Sequence, residues 1–187
     1  MPAAYFSYDR GQRAFHWWMA AVILIAFALG VWAHSMPPKT PLRVELLFWH
    51  KSLGFAAIAL LPFRLVWRAV RGEPVYRAPL APPVRIASHV AHGALYALMA
   101  ALPIAGYVAS AAGGYPLSFF GLFEWPRAVG IDKDLSKAAG EAHYWLSWAM
   151  AAVLALHIAA VAWHRWIKRD EVLARMTGDA PPVDRAA

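Results

Sequence analysis

The chain has 187 residues, 60% of them hydrophobic, and a mean hydropathy of +0.42; that length suits one compact domain, and that composition exceeds what a water-facing surface tolerates. Cysteine is absent, which excludes disulfides, thiolate metal sites, cysteine-ligated iron–sulfur clusters and thioether-attached haem. A net charge of +7 would suggest nucleic acid in a soluble domain, but the basic residues sit in short segments beside apolar runs, so they are read as membrane topology and no nucleic-acid partner is expected.

Arg10 and Arg13 precede a charge-free stretch that lasts until Lys39. Residues 14–33 suffice to cross a hydrocarbon core of about 30 Å at about 1.5 Å per residue. The run is too long for a signal-peptide core and has no small-residue cleavage site, so it is expected to be a retained first span, ended by Pro37 and Pro38. The second span, 44–67, is charged only near its ends, at Glu45, Lys51 and Arg64, with Pro62 positioned to kink it. Gly72, Pro74, Pro79, Pro82 and Pro83 make 71–83 a loop. A third span covers 84–112 and is closed by Gly113, Gly114 and Pro116. Residues 115–140 read as an aromatic and charged connection at the membrane surface, with no fold assigned. The fourth span, 142–164, carries no formal charge between Glu141 and Arg165, and 165–187 follow as a polar tail.

Four spans with short loops and no internal repeat predict an all-α integral membrane protein, an antiparallel up-down-up-down four-helix bundle in one domain, 1–187. The N-terminus, the second loop with its flanks and the C-terminal tail hold 2, 5 and 5 Lys and Arg, against 6 for the other two loops together, which places both termini in the cytoplasm. Interfacial tryptophans follow the same map: Trp17, Trp18, Trp67, Trp163 and Trp166 mark the inner side and Trp32, Trp49, Trp125 and Trp145 the outer, with Trp148 deeper.

All eight histidines lie within or beside the spans. Polar groups in hydrocarbon are costly, so an intramembrane histidine needs another helix, a wet cavity or a metal as partner. His143 and His157 are fourteen apart, which rotates the second by about 40° and displaces it by about 21 Å, so one helix face offers two ligands at two depths. That suits two stacked haems, each needing a second ligand from a facing helix. Depth proposes His50 for His143 and His16 for His157. The second match is looser by about 7 Å if the helices stand upright, so His164 stays a rival ligand. His89, His92 and His164 are candidates for a second shell or a quinone headgroup site beside the inner haem, against the plainer reading of histidines facing headgroups. His34 reads as interface.

Several segments together resemble one family: Arg13 to Trp17 (RAFHW), His50 to Gly54 (HKSLG), Phe63 to Arg68 (FRLVWR), the His89 to Leu98 stretch with Leu102, Pro103 and Gly106, and His143 with Leu156 and His157. Over nearly the whole chain the sequence is similar to the bacterial cytochrome b561 group of four-helix di-haem proteins, related to the cytochrome b subunits of nickel–iron hydrogenases and formate dehydrogenases. The resemblance implies two non-covalent haems b with His16, His50, His143 and His157 as axial ligands. It also implies a bacterial cytoplasmic (inner) membrane location and ubiquinone as electron partner.

Bis-histidine ligation leaves no open coordination position, favouring electron transfer over oxygen binding. Arg64, Arg68, Arg13 and Arg85 cluster on the inner side, where they would pair propionates or orient a quinone, or serve only as positive-inside residues. Lys39, Arg43 and Lys51 would attract an anionic outer donor such as superoxide, an oxidase activity the family permits. The alternatives are a membrane anchor passing electrons from a hydrogenase or dehydrogenase, a structural protein, and a histidine-based transporter; the last lacks acidic residues inside its spans. A small or protein electron donor, a homodimer and association with a redox complex all stay open.

Overall fold

The structure, a computed structural model, describes residues 7–76 and 80–179. Pro79 of the expected loop and the last eight residues of the expected tail lie outside them. Four helices are long and apolar enough to cross a membrane: α1 (Arg10–Ser35), α2 (Pro41–Arg71), α3 (Pro82–Ala112) and α4 (Lys133–Trp163). They run antiparallel as a membrane four-helix bundle. Their outward faces stay apolar, with Leu24, Ile25, Val66, Ile104 and Leu156 exposed, because lipid rather than water surrounds them.

Each helix exceeds the expected span because hydropathy locates the hydrocarbon, whereas capping locates the helix. Asp9 caps α1 through a capping box with Gln12, and Pro41 and Pro82 open α2 and α3 where their missing N–H costs nothing. The largest difference is at α4, which begins at Lys133 rather than near 142. Asp132 caps it with hydrogen bonds from the Asp134 and Leu135 amides, and its first turns are the charged stretch 133–141, too polar to register as a span. α2 continues unbroken past Pro62, and α3 past Pro103.

α1 packs along α2 and α3 along α4, while α2 and α3 touch less. The bundle is thus two hairpins joined across a thinner seam. Met19, Ala57, Leu61, Met99 and Met150 form a buried cluster drawn from all four helices. Beside it, α1 and α4 leave an apolar cavity of about 210 Å³ lined by Ile23, Phe27, Met150 and Leu154.

The segment before α4 folds over the end of the bundle remote from the termini. A two-stranded ribbon, β1 (Ser118–Phe119) and β2 (Phe123–Glu124), pairs antiparallel. Fully buried Ser52 accepts a hydrogen bond from the Phe120 amide at 3.0 Å and donates to the Phe48 carbonyl at 2.9 Å. Phe55 stacks on Trp125 with centroids 5.1 Å apart. At the other end the described part of the polar tail, residues 165–179, is structured as well. A π-helical turn (His164–Lys168) leads into α5 (Val172–Thr177), which returns to the start of α1. The Tyr8 amide donates to the Arg175 carbonyl at 3.0 Å and the Arg13 guanidinium to the Thr177 carbonyl at 2.6 Å. The buried Arg175 guanidinium donates to the Pro74 carbonyl and lies over the Tyr76 ring.

Candidate haem-binding histidines

Two histidine pairs meet across the seam between the hairpins. At the far end, remote from the termini, His50 of α2 and His143 of α4 have ring centroids 5.8 Å apart with planes at 85°. At the near end, His16 of α1 and His157 of α4 are 6.4 Å apart. The depth mismatch expected for upright helices is therefore absorbed, and His157 rather than His164 faces His16. A metal–imidazole bond is about 2 Å and ring nitrogen to ring centre about 1.2 Å, so two imidazoles trans across one iron have centres about 6.4 Å apart. The near pair matches that separation and the far pair is slightly closer. On distance, both fit a haem iron.

The far pair is also set chemically. His50 Nδ1 lies 2.7 Å from the Ala26 carbonyl and His143 Nδ1 2.9 Å from the Leu102 carbonyl. A carbonyl only accepts, so each Nδ1 carries the proton and each Nε2 keeps the lone pair that a metal needs. These two carbonyls escaped the sequence reading, because any residue supplies one.

The near pair differs. Arg64 donates to His16 Nδ1 at 3.0 Å and lies over the Tyr96 ring. His92 sits beside His157 with centroids 5.2 Å apart, its own Nδ1 donating to the Ser88 carbonyl at 2.7 Å. That separation is shorter than a trans arrangement across iron needs, so distance favours His16 as the partner of His157, with His92 at its flank.

The other candidates scatter. His164 is buried and bonded through Nδ1 to Asp170 at 2.5 Å, in the wall of a cavity of about 390 Å³ shared with Trp163, Tyr76 and Val84. His89 is exposed, and so is Arg85. Arg13 holds α5 rather than facing His16, and Arg68 pairs with Glu73. At the far end Lys51 donates to the Pro116 carbonyl and Arg43 to the Met36 carbonyl, while His34 packs against Tyr144.

A membrane-spanning four-helix bundle with paired histidines facing each other across its interior has the architecture of a membrane b-type cytochrome. The sequence profile described as Prokaryotic cytochrome b561 matches residues 7–179. Cytochrome b561 homolog 2 of Escherichia coli (strain K12) is 33% identical over 167 residues, 89% of each chain. Probable superoxide oxidase CybB of Yersinia pestis is 26% identical over 165 residues, 88% of this chain and 92% of that protein. The chain belongs to the prokaryotic cytochrome b561 family, and is accordingly a bacterial membrane cytochrome whose prosthetic group is b-type haem.

Proposed function

We propose that the protein carries electrons across the bacterial cytoplasmic membrane through two haems b. His50 and His143 ligate the outer haem, His16 and His157 the inner one, and both termini face the cytoplasm. The observation behind this reading is the pair of imidazole separations, 5.8 and 6.4 Å, at two levels of one bundle. Haem held by these four histidines would supply one-electron iron chemistry.

The remaining work belongs to the chain. The Ala26 and Leu102 carbonyls keep Nε2 of His50 and His143 unprotonated. Arg64 donates to His16 Nδ1; were that ring a ligand through Nε2, Nδ1 would carry the proton and the guanidinium would suit a carboxylate such as a haem propionate. Phe27, Met150 and Leu154 line an apolar pocket between α1 and α4.

For the donor we take the activity in the name of the Yersinia relative: superoxide at the outer face, drawn by Lys51 and Arg43, gives up one electron and leaves as oxygen. Two such electrons, with two protons from the cytoplasmic side, convert ubiquinone to ubiquinol beside the inner pair, where His92 offers a ring nitrogen.

A reduced-minus-oxidised visible spectrum with haem quantified per chain tests the ligands. Two low-spin b haems are expected, falling to one or fewer in each of His143→Ala and His157→Ala. A colourless wild-type protein would refute the reading.

A further inference from the structure

We infer that Gly30 and Gly106 are positioning residues for the outer histidine pair, each keeping open the spot on its helix through which an imidazole reaches a backbone carbonyl. The inference rests on the ligand reading above.

Ala26 and Gly30 are four apart on α1, and Leu102 and Gly106 are four apart on α3, so in each case the residue with the accepting carbonyl and the glycine share one helix face, a turn apart. The His50 ring covers the first couple and the His143 ring the second. A Cβ on Gly30 would stand 2.9 Å from Cε1 and 3.0 Å from Nδ1 of His50. One on Gly106 would stand 3.1 Å from both Cε1 and Nδ1 of His143. Non-bonded carbon atoms settle at about 3.5–4.0 Å, so any side chain there displaces the ring and stretches the Nδ1–carbonyl hydrogen bond. That bond fixes the tautomer and aims Nε2 at the partner ring.

The same carbonyl-then-glycine device therefore occurs once in each hairpin, built from unrelated local sequences. Among the described residues, no added glycine Cβ has His16 or His157 among its nearest neighbours, and His16 Nδ1 faces Arg64 instead. Nor is it a general property of helical glycine here, because Gly54 in α2 and Gly93 in α3 have no atom within 4 Å of an added Cβ.

The experiment compares purified Gly30→Ala and Gly106→Ala with wild type and with Gly54→Ala and Gly93→Ala as controls. The readouts are haem per chain, low-temperature ferric EPR and thermal unfolding in detergent. Wild type comes first: fewer than two low-spin haems per chain would defeat the ligand reading, independently of the glycines. With two present, Gly30→Ala is expected to lose one haem or to shift the EPR signal of one. Gly106→Ala should do the same to a smaller extent, its added carbon having slightly more room. The second signal and both controls should match wild type. Unchanged haem content and unchanged signals in both outer-pair variants would overturn the inference. So would equal loss of both haems, which would mark a general packing defect rather than the positioning of one pair.

Discussion

At the entrance of α1, Asp9 accepts hydrogen bonds from the Gly11 and Gln12 amides at 2.8 and 3.2 Å and from the Trp67 indole at 3.1 Å. Burial pushes its carboxyl up, but the Trp67 bond, the two amides and the Arg71 guanidinium outweigh burial and hold it below the usual carboxylate range. A depressed carboxyl stabilises the fold above its unfolded value and loses that contribution as pH falls through the folded one. Asp9→Ala should therefore cost about 1 kcal/mol at neutral pH, the usual worth of a helix cap. The difference from wild type should shrink between neutral pH and a pH below the usual carboxylate range, measured as paired thermal melts. An equal deficit at both pH values would count against the cap. At this scale the four paired histidines were legible, because 14-residue spacing on one helix and depth on the others are properties of sequence. The partners of their Nδ1 atoms were not, since helix rotation decides which carbonyl a ring meets and nothing in the chain's letters encodes it.

Among the elements, the four spans were readable from apolar length, whereas their ends were not. Hydropathy is blind to turns that project into water, and so α4 gained its charged start at Lys133. The cap at the far end was the other gap: strands of two residues each carry no periodicity, and the ribbon is held from outside itself by Ser52. Ser52→Ala would leave the Phe120 amide buried and unpaired, at a cost of about 1–3 kcal/mol. Faster amide exchange across residues 115–132 should accompany it, with the near-end helix α5 unaffected. Exchange at wild-type rates in the cap would show that the ribbon does not depend on that hydroxyl.

For the whole molecule, orientation is the property that assigns each histidine pair to a compartment, and the natural absence of cysteine makes it directly measurable. Leu122, 76% exposed in the cap, and Asp179, exposed after α5, serve as sites for single cysteines. In intact cells a membrane-impermeant maleimide should label Leu122→Cys, and Asp179→Cys only after lysis; the reverse result would invert the assignment of donor and acceptor faces.

The unequal packing of the bundle also dictates an order of biogenesis. Each hairpin enters the bilayer with its closest packing partner already covalently attached, so α1 with α2 and α3 with α4 settle early and independently of the other half. The seam between them is thinner, and under the proposed ligation its imidazole pairs wait on material the ribosome does not provide. Tetrapyrrole supply thus becomes a maturation checkpoint. On that reading a chain made in its absence would keep its spans with its halves joined only by the thinner seam, and membrane quality control would meet it in that form.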